Sequence, residues 1–331
     1  MSRIAVIGAG AWGTALTVSL ARRGGHILTL WAHSSDHALQ LVQSRQNQRY
    51  LPGFSLPADL RITHNLALAV SSAEVVLCAT PSQALRSIML QLGPLLTPCQ
   101  VLLSASKGIE EKTFLRMSQI MAEYAPSNPI GVLGGPSFAY EVAAAMPTAI
   151  ALAIDNPTLG KRLQDDFSSS SLRAYRNQDV VGTELGGALK NVIALAAGVV
   201  TGLELGHNAT AALITRGSAE ITRLTIACGG CRETMSGLSG IGDLVLTCTG
   251  GLSRNRMVGM ELGKGRPLPA IIAGLNGKVA EGILTTSAAL GLARRYGVEM
   301  PITEQMEAIL HHGKAPLDAI GELMGRPGRI E

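Results

Sequence analysis

Hydrophobic and polar positions along this chain fall into two textures. Up to about residue 182, short apolar runs at residues 3–7, 27–31, 74–79, 101–105, 130–133, 148–154 and 172–175 read as strands. Helices are predicted between them over residues 14–23, 36–49 and 83–92, and Tyr50-Leu51-Pro52-Gly53 reads as a turn. Strands that alternate with helices predict a mostly parallel sheet covered on both faces. From Gly182 the strands stop, and Ala-, Leu- and Gly-rich stretches of helical spacing run on towards residue 331, the last of them from Gly277-Lys278 with a break at Pro301. This change predicts two domains, residues 1–182 and 183–331, the second all helical.

The first strand runs straight into Gly8-Ala9-Gly10-Ala11-Trp12-Gly13, which opens the first helix. GxGxxG alone is a weak signal. Here it lies inside a full strand–helix–strand unit, because Gly24-Gly25 ends the helix and a second apolar run follows. In such a unit the first glycine allows a tight turn, the second lets a pyrophosphate approach the backbone, and the third lets helix pack on strand. The helix N-terminus then offers free N–H groups to the phosphates, so dinucleotide binding is predicted. An NAD site places an acid at the end of the second strand to bond the ribose 2′-hydroxyl. This chain reads Leu30-Trp31-Ala32-His33-Ser34-Ser35 there. Ala32, His33 and the serines leave room and donors for a 2′-phosphate, so NADP(H) is favoured, while nearby Asp36 keeps NAD(H) open.

Further chemistry stands at predicted element ends. Lys107 follows a strand, where a doubly wound sheet lines its ligand crevice. Gly134-Gly135-Pro136-Ser137-Phe138-Ala139 is a second glycine turn before a helix. Lys190 sits in a very apolar helical stretch, so it either snorkels to water or points into a cleft with partners. Asn208 is predicted to cap the next helix. Residues 247–256 read as a glycine-rich loop in which Arg254 and Arg256, with serine, threonine and asparagine, form a phosphate clamp through bidentate guanidinium pairing.

Composition narrows the picture. The chain has 331 residues, 47% hydrophobic and 16% charged, enough for two real cores. A net charge of +4, no long basic run and 3% aromatic residues argue against nucleic-acid binding. Five cysteines (Cys78, Cys99, Cys228, Cys231, Cys248) form no disulfide-like framework, which suits a reducing compartment. Cys228-Gly229-Gly230-Cys231 lacks a second pair or histidine to complete a zinc set, so no metal is expected. The chain enters a strand within three residues, and its charge-poor stretches at 87–106 and 191–203 are too short or too broken to span a membrane. A soluble cytoplasmic protein is expected.

With the glycine turn continuing into Thr14-Ala15-Leu16, then Gly135-Pro136-Ser137-Phe138-Ala139, Leu189-Lys190-Asn191, Gly242-Asp243-Leu244 and Ser253-Arg254-Asn255 in this order, nearly the whole chain resembles the bacterial NAD(P)-dependent glycerol-3-phosphate dehydrogenase family. The resemblance implies an α/β Rossmann-like dinucleotide-binding domain followed by an all-α substrate and catalytic domain similar to the C-terminal domain of 6-phosphogluconate dehydrogenase. It implies reversible reduction of dihydroxyacetone phosphate to sn-glycerol 3-phosphate for phospholipid synthesis, by a homodimer. By resemblance Lys190 is the general acid and base, with Asp243 and Lys107 assisting. Lys107, Gly135, Ser137, Lys190, Asp243, Ser253, Arg254 and Asn255 correspond to substrate contacts. Gly8, Gly10, Ala11, Trp12, Gly13, His33, Tyr50, Lys107, Ala139, Arg254, Val279 and Glu281 correspond to cofactor contacts. The chain departs from many members at Ala11, where serine is common, and at His33, where an arginine is common. Two alternatives stay open: another hydroxyacid or ketopantoate-type reductase, which needs a carboxylate site rather than a phosphate clamp, and an NAD(P)-sensing module without turnover.

Overall fold

The computed structural model describes residues 2–275 and 279–328. Gly277 and Lys278, read above as opening the last helical stretch, lie outside the described residues. The chain divides into two compact units, one comprising Met1–Lys107 and Leu115–Glu184, the other Gly108–Phe114 and Leu185–Glu331.

In the first unit the strands are β1 (Ser2–Ile7), β2 (His26–Trp31), β3 (Gln46–Asn47), β4 (Leu51–Ser55), β5 (Arg61–Thr63), β6 (Val75–Cys78), β7 (Val101–Ser104), β8 (Ile130–Gly134), β9 (Thr148–Ile154) and β10 (Leu172–Asn177). Eight of them form one sheet in the order β10-β9-β8-β7-β6-β1-β2-β5. All pairs are parallel except β8 with β9, so the last two strands run against the rest. Side chains alternate across the sheet as strand geometry requires. Ile4, Val6, Val75, Leu77, Val101 and Leu103 enter one core, while Ala5, Ile7, Val76, Cys78 and Leu102 enter another on the opposite face. Both faces are therefore covered, and the short apolar runs follow from that.

One local reading needs correction. The helix predicted over 36–49 stops at Ser44, and of residues 50–53, read as a turn, Leu51, Pro52 and Gly53 are strand residues of β4, which pairs antiparallel with β3 in a ribbon. Arg45 takes a left-handed conformation (φ 49°), and the Ser44 hydroxyl lies 2.7 Å from Gln40 O and 2.8 Å from Gln46 O. Tertiary packing decides the outcome: Leu51 is buried with Ala15, Val142 and Ala143. Pro52 is tolerated because the ribbon has only two strands.

The second unit is helical around Val180–Gly202, whose residues from Leu185 to Val200 are buried throughout. This helix is long and apolar enough to cross a membrane, unlike the shorter stretch taken from the sequence, yet 89% of its most apolar window lies inside the protein. Glycines bring it close to the helix Arg254–Gly263: a Cβ on Gly259 would stand 1.9 Å from the Leu195 carbonyl oxygen, and one on Gly198 would stand 2.1 Å from that of Arg256. Two sequence readings fail here. Asn208 is no cap, because the helix Gly206–Ala227 already begins two residues earlier. Residues 247–256 are the end of helix Asp243–Thr249, a brief turn, and the start of helix Arg254–Gly263, capped by Ser253 Oγ accepting from Arg256 N at 3.2 Å.

The segment Gly108–Phe114 belongs to this helical unit. Phe114 adopts φ 62°, and its ring fills the space beside Gly291, where a Cβ would meet ring carbons at 2.2–2.7 Å. The Arg295 guanidinium stands over that ring, 5.3 Å from its centroid. Nothing in the hydrophobic pattern signals this excursion.

Glu220 is a buried acid of the same unit. Its carboxylate accepts from Ile302 N at 2.5 Å and from Thr303 N and Thr303 Oγ1 at 3.3 and 3.2 Å, closing the start of helix Pro301–His311. Burial raises its pKa to about 7, against the lowering effect of those hydrogen bonds and of Arg223. A carboxyl whose folded pKa exceeds its unfolded value costs stability as pH rises from the unfolded to the folded pKa. Relative to Glu220→Gln, the native protein is expected to lose up to about 3 kcal/mol between pH 5 and pH 8. Urea unfolding of both proteins at the two pH values checks this; a constant difference between them would refute it.

Candidate active site

The glycine turn lies where the sheet order reverses. From β1 the chain builds outward through β2 and β5, then returns to place β6 on the other side of β1. Ligands of open α/β sheets bind at the strand C-termini beside such a point. The three glycines do different work there. Gly8 has φ +121°, and a Cβ would stand 2.7 Å from Ala79 O, just beyond β6. A Cβ on Gly13 would meet Gly8 O at 1.9 Å, so any side chain would push the helix off the turn. At Gly10 a Cβ would meet nothing within 4 Å, which is the room a pyrophosphate uses.

The residues present fit a dinucleotide. Helix Ala11–Arg23 has Gly10 at its N-cap with no side-chain bond and no acid in its first turn, so its N–H groups face outward with their positive partial charge uncompensated there. Trp12 Nε1 and Thr80 Oγ1, both close to this turn in the fold, are buried polar atoms with no hydrogen-bond partner. Beyond β2, exposed His33 sets its ring edge-on to Trp31 at 5.7 Å. Tyr50 stands against the His37 ring at 5.4 Å, with the Arg49 guanidinium 5.0 Å over its face. Ala139 opens the helix Ala139–Ala143 and packs in one cluster with Trp12 and Leu51. At the neighbouring strand ends, Lys107 Nζ donates to Gly135 O at 2.9 Å, and Ser137 Oγ donates to the same oxygen at 3.0 Å.

The second unit holds the buried ion pair. Lys190 is only 6% exposed in the middle of helix Val180–Gly202, and Asp243 is fully buried at the start of helix Asp243–Thr249. The Lys190 ammonium bonds Asp243 Oδ1 and donates to Thr247 Oγ1 at 2.8 Å. The Thr247 hydroxyl in turn donates to Asp243 O at 2.6 Å. Lys190 therefore does not snorkel to water. A buried charge needs a charged, hydrogen-bonded partner, and this cluster supplies one. Thr247, read from the sequence only as one of the polar residues of the clamp loop, instead joins Lys190 and Asp243, its spacing from Asp243 putting both on one face of a helix.

The clamp region is also more ordered than the sequence implied. Arg254 and Asn255 occupy the first turn of their helix. Arg254 reaches water, yet surrounding protein lowers its pKa by desolvation while Glu281 opposes the change. Guanidinium remains protonated under any working condition. Arg256 lies 3.4 Å from Thr201 Oγ1 on the apolar helix, so Arg254 is the guanidinium more open to a ligand. Asn255 Oδ1 accepts from Gly282 N at 3.0 Å, holding the start of helix Gly282–Tyr296 against the clamp, with Glu281 at its N-cap. Val279 is exposed just before it. Among the described residues, no group of three or more His, Cys, Asp or Glu stands together to hold a metal ion.

Residues 3–160 match the N-terminal region, and residues 179–321 the C-terminal region, of NAD-dependent glycerol-3-phosphate dehydrogenases. The chain belongs to this family. It is 57% identical over 334 residues to a glycerol-3-phosphate dehydrogenase [NAD(P)+] of Koribacter versatilis, covering 100% of this chain and 99% of the relative. It is 54% identical to the same-named protein of Acidobacterium capsulatum, each covered over 100% of its length. Among solved structures, the crystal structure of glycerol-3-phosphate dehydrogenase from Coxiella burnetii superposes with a TM-score of 0.94 at 39% identity, over 98% of this chain and 99% of that one. The Rossmann-like first unit and helical second unit are thus the family's architecture, and the chain is an NAD(P)-dependent oxidoreductase.

Proposed function

We propose that this chain reversibly reduces dihydroxyacetone phosphate to sn-glycerol 3-phosphate in the cytoplasm, with NADPH preferred over NADH, as a homodimer that supplies glycerol 3-phosphate to phospholipid synthesis. The observation that carries the chemistry is the buried Lys190–Asp243–Thr247 cluster. When bound, the nicotinamide supplies a hydride for the substrate's carbonyl carbon. Lys190 polarises the carbonyl oxygen and delivers the proton that the developing alkoxide needs; in the oxidative direction it takes that proton back. Asp243 and Thr247 hold the ammonium in one orientation, so the donor is aimed before substrate arrives. Arg254 pairs with the substrate phosphate through its guanidinium fork. Lys107, steadied by the Gly135 carbonyl, adds positive charge for the same anionic substrate.

Gly8, Gly10 and Gly13 with Ala11 and Trp12 receive the coenzyme phosphates. Ala11 still contributes a backbone N–H, so the lost serine hydroxyl removes only one contact. The coenzyme preference rests on His33 at the end of β2 and on the lack of an acid there. His33→Ala is expected to lower the NADPH-to-NADH ratio of kcat/KM by about tenfold, the loss of one charge-assisted hydrogen bond, with NADH turnover unchanged. The whole proposal is tested by oxidation of NADPH and of NADH with dihydroxyacetone phosphate, followed by nicotinamide absorbance. No turnover with either coenzyme would reject it.

A further inference from the structure

We propose that Asn47 is a positioning residue for the coenzyme: it brackets the glycine turn to the ribbon that carries Tyr50, and so fixes the backbone that receives the pyrophosphate. The inference rests on the reading that this turn binds the coenzyme phosphates. Asn47 is 1% exposed, and its side chain lies across the gap between two segments distant in sequence. Nδ2 donates to Ala9 O at 2.9 Å and to Thr14 Oγ1 at 2.8 Å. Oδ1 accepts from Tyr50 N at 3.3 Å and lies 3.3 Å from His37 Nε2.

The chemistry of the partners fixes the amide's orientation. Ala9 O only accepts and Tyr50 N only donates, so nitrogen and oxygen of the amide cannot exchange places. His37 Nε2 must then carry a hydrogen to face Oδ1. Burial lowers the His37 pKa, which favours the neutral ring, and the contact with Oδ1 selects its Nε2–H tautomer. Both amide hydrogens and the oxygen are thereby used, and no other neutral side chain of this length offers two donors and an acceptor on one planar group. Ala9 lies between Gly8 and Gly10, the two residues whose backbone must lie closest to a pyrophosphate, and Thr14 lies one residue past Gly13. The bond to Ala9 O therefore orients the peptide unit linking Ala9 to Gly10. On the far side, β3 pairs Asn47 with Leu51, and Leu51 is buried beside Ala15 of the first helix. The ribbon is thus seated on the helix that the turn opens, and Asn47 sets its height above the turn.

The test compares Asn47→Ala, Asn47→Asp and Gly10→Val in the full-length protein, with NADPH as the titrant. Asn47→Ala is expected to raise the NADPH Kd and KM about tenfold, the loss of one or two net hydrogen bonds, while kcat at saturating NADPH and KM for dihydroxyacetone phosphate stay within about twofold. Asn47→Asp is expected to weaken NADPH more than alanine does, because a carboxylate cannot donate to Ala9 O and adds negative charge beside the phosphates. Thr14→Val, which removes one acceptor and keeps the volume, is expected to show a smaller shift in the same direction if the aspartate variant fails to fold. A merely structural asparagine would lower thermal stability and the folded fraction without changing the Kd of the folded protein, and that result would overturn the proposal. Gly10→Val separates the two levels of argument. Abolished NADPH binding there with an unchanged Kd in Asn47→Ala rejects only the bracket, whereas undiminished binding in Gly10→Val rejects the glycine-turn reading on which the bracket rests.

Discussion

Replacing Lys190 by alanine is expected to lower kcat for dihydroxyacetone phosphate reduction by about a thousandfold, with NADPH Kd unchanged. Loss of a positioned general acid accounts for about 10²- to 10⁴-fold, and the same side chain also polarises the carbonyl. The variant leaves Asp243 buried without its cation, which costs about 3–5 kcal/mol in typical buried pairs. Lys190→Arg addresses this. Arginine keeps a positive charge beside Asp243, but its guanidinium does not release a proton at working pH. A folded, coenzyme-binding arginine variant that is as inactive as the alanine one would isolate proton transfer as the missing step. Near-normal kcat in the alanine variant would remove Lys190 from the chemistry, and near-normal kcat in the arginine variant alone would leave it the polarising charge and assign proton transfer to a different acid.

Arg254→Ala carries the second large effect, on KM rather than kcat. A bidentate guanidinium–phosphate pair holds two charge-assisted hydrogen bonds, so its loss is expected to raise KM for dihydroxyacetone phosphate about a hundredfold or more. Arg254→Lys keeps the charge without the fork and should fall between. Unphosphorylated dihydroxyacetone provides the control, because the wild type and Arg254→Ala should use it equally poorly. Equal KM for the phosphorylated substrate in wild type and variant would count against the clamp. Arg254 also matches a coenzyme contact by resemblance, and a parallel rise in NADPH Kd would show that both ligands use it. Asn255 is expected to act differently. Its carbonyl end already holds Gly282 N, so its substitution should disturb the start of helix Gly282–Tyr296 as well as any ligand.

Sequence alone carried much of this protein because the glycine turn is a local device. Gly8, Gly10 and Gly13 are adjacent in the chain, their roles follow from missing side chains, and the flanking strand and helix are read from periods of two and 3.6 residues. Lys190 and Arg254 stood out from their own surroundings in the chain, and the family motifs added Asp243 and the acid–base role of Lys190 by resemblance, without geometry. Three-dimensional packing decided what local pattern left open. The ribbon at residues 46–55 forms because Leu51 finds a buried place beside Ala15 and Val142, a contact across long sequence separations. Arg254 sits on a helix, not a loop, because Gly198 and Gly259 let two helices approach closely enough to carry it. Lys190 is buried rather than snorkelling because Asp243 and Thr247 meet it from another helix. A chain sets its own periodicity through local backbone preference and the spacing of apolar side chains. Which polar groups become partners is set only when distant segments pack, since desolvation then makes each buried charge or amide require a specific neighbour.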